Sequence, residues 1–207
     1  MASMLYNKPM RQFLCLALFT FFTVESAGAE GSAQPAVQKA TFAGGCFWGL
    51  EKYIGEIKGV TGTRVGYTGG RVKNPDYKLV CTGTTGHAEA VEVVYDPSQV
   101  SYEDLLEFFF THHDPTTLDR QGPDVGSQYR SAIYFHTPGQ KTAALKAKET
   151  LQRSGIFKQP VVTEIESAGE FYAAETYHQK YLQKNPRGYC SIQVQSSKIG
   201  EALRKSR

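Results

Sequence analysis

The chain has 207 residues, 41% hydrophobic and 21% charged, with a formal net charge of +3. These values describe a soluble globular chain of one domain with room for an extension. So small a charge, with no clustered basic face, excludes a nucleic-acid-binding role. Four cysteines without a Cys-x-x-Cys pair exclude a disulfide scaffold and a structural zinc site.

Lys8 and Arg11 precede an apolar run from Phe13 to Val24, and Ala27-Gly28-Ala29 follows it. A basic start, a short apolar core and an Ala-x-Ala end describe a secretory signal peptide over residues 1–29. A membrane span would need roughly 20 apolar residues. Cleavage after Ala29 is expected, with an uncleaved anchor as the alternative, and the location to expect is the periplasm. Cleavage removes Lys8, Arg11 and Glu25, leaving (23 − 2) − (20 − 1) = +2, and takes Cys15 with it. Residues 30–38 are small and polar and read as a mobile leader. A catalytic domain is then expected over 39–188 and a tail over 189–207.

Lys39 to Ala43 predicts a strand. Phe47 to Ile57 predicts a helix with Phe47, Leu50, Ile54 and Ile57 on one face. Gly59 to Tyr67 predicts a strand, Thr68 to Gly86 a long loop, and Ala88 to Tyr95 a strand ended by Asp96-Pro97. Ser101 caps the next predicted helix, with Asp104 three residues on. That helix runs to about His112 on Leu105, Leu106, Phe108 and Phe109. A second long loop covers Asp114 to Gln128, and Tyr129 to His136 predicts a strand. A helix over Gly139 to Arg153, a strand over Val161 to Ile165 and a helix over Glu170 to Gln183 complete the order; the tail carries no strong signal. The order implies an α+β, two-layer sandwich with a ferredoxin-like β-α-β-β-α-β core and a C-terminal tail.

Gly44 to Gly49 reads Gly-Gly-Cys-Phe-Trp-Gly and puts Cys46 at the strand-to-helix junction. Backbone N–H groups and the helix dipole favour negative charge there, so the thiol is expected to ionise easily. Phe47 and Trp48 can supply an aromatic wall, on which sulfur-containing apolar groups pack well. His87-Ala88-Glu89 has the His-x-Glu spacing of zinc deaminases, but their Pro-Cys-x-x-Cys partner is absent. His112-His113-Asp114 suggests a metal only weakly, since neighbouring histidines diverge and no third ligand follows at a ligand spacing.

Gly-Cys-Phe-Trp-Gly resembles the active-site motif of the type A peptide methionine sulfoxide reductases, and further segments match the same family. Thr85-Gly86-His87-Ala88-Glu89-Ala90-Val91 is similar to the segment whose glutamate acts at the sulfoxide oxygen, so Glu89 takes that role by resemblance. Asn74-Pro75-Asp76-Tyr77 and Gly122-Pro123-Asp124-Val125-Gly126-Ser127-Gln128-Tyr129-Arg130-Ser131 resemble the family segments that give the substrate site two tyrosines and an aspartate, here Tyr77, Tyr129 and Asp124. His113-Asp114-Pro115-Thr116 resembles a loop in which the family binds no metal. Gly188-Tyr189-Cys190 resembles the place of the family's resolving cysteine; Cys81, in the loop before Glu89, is the competitor for that role. The resemblance covers about Lys39 to Cys190.

It implies a reductase of the S epimer of methionine sulfoxide, free or in proteins, exported on the reading of the signal peptide, with Cys46 as nucleophile, a sulfenic acid and then an intramolecular disulfide as intermediates. No bound cofactor or metal is expected. Thioredoxin or a thioredoxin-like protein is expected as external dithiol reductant, and a monomer as the working form. The length leaves no room for the type B domain fused in some relatives, so the R epimer is not expected to react. A general thiol-disulfide oxidoreductase is the alternative, though it would carry Cys-x-x-Cys. A non-enzymatic binding module on the same fold is a second.

Overall fold

The computed structural model describes residues 36–192 and 194–207. The expected signal peptide and most of the expected leader lie outside the described residues.

The elements are β1 (Gln38–Gly44), α1 (Phe47–Ile54), β2 (Val60–Thr68), α2 (Tyr77–Cys81), β3 (Ala88–Tyr95), α3 (Tyr102–Thr111), β4 (Arg120–Gln121), β5 (Asp124–Val125), a 3-10 turn (Ser127–Tyr129), β6 (Ser131–Phe135), α4 (Pro138–Arg153), β7 (Glu164–Ser167), β8 (Tyr172–Ala173), α5 (Tyr181–Lys184) and α6 (Ser197–Lys205). The main sheet runs β7-β6-β1-β3-β2-β8. All its pairs are antiparallel except β6 with β7. β1 and β2 therefore run the same way with β3 between them, and α1 makes the crossover.

Strand alternation sorts side chains between two faces. Ala40, Phe42, Val65, Tyr67, Val91, Val93 and Ile133 face α1, α3, α4 and α6 and form the main core with Leu50, Ile54, Leu105, Phe109, Leu151 and Leu203. Ala43, Ala88, Ala90, Ala132 and Tyr134 form a smaller cluster on the other face, under Ala168 and Phe171. Glu89 is in phase with Val91 and Val93, so it points to the core side at the first turn of β3. Phe42 pairs with Val91 on one side and Ile133 on the other. Two residues on, that register sets Gly44 level with Glu89. Tyr67 faces Glu89 from β2 and Ser131 faces Gly44 from β6. One end of the sheet thus gathers the chain around Cys46.

Several expectations need correction. Residues 170–183 do not form a helix. Tyr172 and Ala173 pair with Tyr67 and Gly66 at the sheet edge. The Gln179 side chain holds both the N–H (3.0 Å) and the carbonyl (2.9 Å) of Val65, so tertiary backbone partners replace helical ones. Lys180 is left-handed, φ 56°, and its N–H donates to Glu51 Oε2 (2.8 Å); only Tyr181–Lys184 is helical. The seventh strand starts at Glu164, not Val161, because the Val162 N–H is taken by the Pro115 carbonyl (2.8 Å). α1 stops at Ile54, and Tyr129 lies in the 3-10 turn before β6. The first long loop contains α2, capped by Asp76, which accepts from the Leu79 N–H (2.8 Å). The folded body does not end at 188. Ser196 caps α6, whose Ile199 and Leu203 are buried in the main core.

Candidate active site

Cys46 is the N-cap of α1 and is 7% exposed. Gly45 before it has φ +87°, and a Cβ there would lie 2.6 Å from Gln121 Cγ; glycine allows both the turn and the approach. Beneath Gly44 lies His113, fully buried. Its Nδ1 bonds the Phe109 carbonyl (2.7 Å) and its Nε2 meets Ser131 Oγ (2.7 Å). Burial lowers it to about 4, so it stays neutral as packing and brings no charge to the site.

A cavity of about 210 Å³ opens at Cys46, lined by Cys46, Phe47, Trp48, Tyr77, Glu89, Asp124, Tyr129 and Tyr189. It brings together every site residue expected from the sequence except Cys190, and adds Tyr189. Phe47 is 1% exposed, so it forms a floor, not a wall, and rests on Tyr67 and His178 (ring centroids 6.0 and 5.1 Å). Trp48, the only tryptophan in the chain, is stacked on Tyr181 (3.8 Å, 17°). Its indole N–H donates to His178 Nδ1 (3.0 Å), which requires the unprotonated Nδ1 of a neutral imidazole. Burial lowers the His178 pKa, against the pull of Glu175, and favours that form.

Glu89 is 2% exposed and accepts from the Phe47 N–H (3.2 Å). Burial pushes its carboxyl up to about 8, against that bond and with help from Asp124. At neutral pH it holds a proton inside the cavity. The Cys46 thiol does not follow the helix-terminus expectation. Burial, then the Glu89 charge, push it well above the ordinary thiol range, and the Trp48 backbone N–H offsets only part of this. Desolvation of the charged form outweighs the partial charge of one helix end here. Burial also raises both phenols, Tyr77 with the neighbouring Cys81 sulfur and Tyr129 with the Glu89 charge. The resting site therefore presents neutral donors around a neutral thiol.

Glu175 and His178 belong to the machinery that the sequence reading missed. Glu175 accepts from the Tyr67 hydroxyl (2.9 Å) and the Tyr77 N–H (2.8 Å), fixing Tyr77 at the head of α2. Although burial opposes it, these bonds and His178 hold Glu175 below its ordinary range. Arg130 ties the 3-10 turn to the sheet through the Ser127 carbonyl (2.9 Å), the Gly86 carbonyl (3.1 Å), Tyr134 Oη (3.0 Å) and Glu164 (2.9 Å). That sets Tyr129 against Glu89. Asp124 Oδ1 accepts from the Tyr189 hydroxyl (2.9 Å), and its Oδ2 is buried without a partner.

Cys190 is exposed and lies outside the cavity, its sulfur against Gly49 in α1. Cys81 ends α2, beside Tyr77, and does not line the cavity either. Among the described residues no group of three or more His, Cys, Asp or Glu side chains is placed to hold a metal.

A buried thiol facing a protonated carboxyl and two phenols defines a thiol-dependent oxidoreductase site in outline. A family model described as peptide methionine sulfoxide reductase matches residues 38–206. The peptide methionine sulfoxide reductase MsrA of Methanothermobacter thermautotrophicus is 58% identical over 75% of this chain and 92% of its own length; that of Deinococcus radiodurans is 49% identical over 86% of each. Among solved structures, methionine sulfoxide reductase A of Corynebacterium diphtheriae is 44% identical with TM-score 0.68, covering 76% of this chain and 79% of that one. Reduced Mxr1 of Saccharomyces cerevisiae is 37% identical with TM-score 0.71, covering 77% and 93%. The chain belongs to the peptide methionine sulfoxide reductase family, in its type A branch.

Proposed function

We propose that this enzyme reduces the S epimer of methionine sulfoxide, free or in proteins, through a Cys46 sulfenic acid and then a Cys46–Cys190 disulfide. The observation that carries the reading is the shared cavity of the Cys46 thiol and protonated Glu89. The sulfoxide enters with its methyl on Phe47 and Trp48 and its oxygen among Glu89, Tyr77 and Tyr129. Asp124 and Tyr189 take the rest of the substrate. As the Cys46 sulfur attacks the sulfoxide sulfur, Glu89 gives its proton to the oxygen and recovers one from the thiol. The oxygen ends on Cys46 as the sulfenic acid, methionine leaves, and no net proton is used. Cys190 then displaces the hydroxyl as water, and an external dithiol reduces the disulfide. A thioredoxin-like protein suits that last step. For an exported chain it would have to act outside the cytoplasm, where the milieu is oxidising. No step needs a bound metal or organic cofactor.

The test takes the chain from Glu30, dithiothreitol and separated S and R epimers of a methionine sulfoxide derivative, with product followed by chiral chromatography. Turnover of S alone, lost in Cys46→Ser, is the expected result. Turnover of R, or activity surviving in Cys46→Ser, would overturn the reading.

A further inference from the structure

Helix α1 holds a glycine in its interior, although glycine disfavours helix relative to alanine. Gly49 is not among the glycines with left-handed backbone, so the turn does not require it. The reason lies in the tail. A Cβ on Gly49 would sit 2.5 Å from Ile192 Cγ1 and 2.9 Å from Cys190 Sγ, closer than packed carbons come to either atom. The tail segment is a strap tied on both sides of the cysteine. Tyr189 holds Asp124 before it, and the Gln195 N–H donates to the Thr111 carbonyl (2.7 Å) after it. Gly49 is three residues from Cys46, hence on the same helix face one turn away.

We propose that Gly49 is a positioning residue for disulfide formation: its missing side chain is the gap in which the strap lies, and it delivers the Cys190 thiol to oxidised Cys46. The inference rests on Cys190 as the resolving thiol. In the step concerned, the Cys190 sulfur bonds to the Cys46 sulfur and the Cys46 S–O bond breaks. The Cys190 proton leaves with the hydroxyl as water; Cys190 is oxidised and the sulfenic sulfur reduced. A Cβ at 49 displaces the strap at Cys190 and Ile192, past its Tyr189 anchor on Asp124, and Gly49 itself does not line the cavity.

The experiment mixes reduced full-length chain, freed of reductant, with the S sulfoxide and quenches in time. Methionine formed, thiols lost, dimedone-trapped sulfenic acid and the disulfide peptide map are measured. Gly49→Ala should keep the burst of methionine but form the disulfide on the order of a hundredfold more slowly, the cost of an ångström-scale misplacement, with Cys46 trapped by dimedone. Ile192→Ala in the same chain, which removes the 2.5 Å contact but leaves the 2.9 Å one to Cys190 Sγ, should recover much of the rate. Disulfide formation at the parent rate in Gly49→Ala would overturn the proposal. So would a slow rate, or a lost burst, that Ile192→Ala leaves unrepaired, because the fault would then lie in the helix. Cys190→Ser separates the underlying reading: it should give the burst and a persistent sulfenic acid. If it still lost two thiols per turnover, Cys190 itself would not be the resolving thiol.

Discussion

Glu89→Gln should make the protein more stable and less active at the same time, by amounts that follow from burial. The Glu89 carboxyl moves from an ordinary 4.5 in the unfolded chain to about 8 in the fold. Below the lower value both states hold the proton. Between the two values the native state keeps a proton that the unfolded chain has released. Stability therefore falls as pH rises through that window, by about 1.4 kcal/mol per pH unit, and the loss is complete above the folded value. The full loss is on the order of 5 kcal/mol, an upper figure because a relaxing site admits water. Glutamine matches the protonated carboxyl in shape and can still accept the Phe47 N–H, but it does not ionise. The two proteins should therefore be about equally stable near pH 5 and diverge by several kcal/mol by about pH 9, with the glutamine form the more stable. Urea denaturation across that range reads the difference directly. Reduction of the sulfoxide should fall by roughly 10²–10⁴ in the variant, the usual size of a general-acid contribution. In the parent it should decline as pH rises through about 8. Stability curves that run parallel across the range would refute the protonated carboxyl, and with it the acid role.

The other cavity residues give further tests. Tyr77→Phe and Tyr129→Phe should each slow the methionine burst roughly ten-fold, the loss of one hydrogen bond to the oxygen, with little change in folding by circular dichroism. His178→Phe removes the acceptor for the Trp48 indole. Since Trp48 is the only tryptophan, its emission should shift, and KM should rise roughly ten-fold, whereas His178→Asn, which keeps an acceptor near Nδ1, should restore both. Gly45→Ala combines a left-handed backbone with a 2.6 Å approach to Gln121 and should cost roughly 2–4 kcal/mol in denaturant unfolding. In the resting enzyme iodoacetamide should alkylate Cys46 more slowly than a free thiol at neutral pH; above about pH 8, where Glu89 is ionised, Glu89→Gln should react faster than the parent because the raising charge is gone.

Local features of the chain were legible because one residue or spacing carries each of them. The glycine pair and the helical period of Phe47, Leu50 and Ile54 place Cys46 at its junction. Ser101 and Asp104 announce a capping box that the fold contains. Glu89 was singled out by resemblance, yet its burial is also written in the strand period, since it shares the parity of Val91 and Val93. The segment around Glu175 and His178 was misread because its aromatic residues mimic a helical face. Its folded form depends on the Gln179 and Glu175 side chains and the Tyr172–Ala173 backbone reaching β2 and α2, and sequence spacing does not encode such distant partners. α6 did leave a signal, a Ser196 cap with Ile199 and Leu203 four apart, short enough to be overlooked in a polar tail. The Cys46 pKa was misjudged for a different reason. The helix terminus is visible in sequence, but the desolvation that outweighs it depends on everything packed around the sulfur.

That last reversal fits the chemistry. A thiolate held at rest in the cavity would face any oxidant that enters, and thiolate character with exposure is what makes cysteines vulnerable. Here Cys46 is neutral and buried, and Glu89 is neutral beside it. Neither gains by ionising alone, since burial raises both, and a charge on Glu89 would raise Cys46 further. In the proposed mechanism a bound sulfoxide changes this, because its oxygen can accept the Glu89 proton while its sulfur accepts the Cys46 electrons. The two proton movements then occur across one substrate and leave no net charge in the low-dielectric cavity. Reactivity is thus made conditional on a ligand that carries both an acceptor oxygen and an electrophilic sulfur. On that proposed mechanism, the burial that raises both Cys46 and Glu89 is the physical basis of the selectivity.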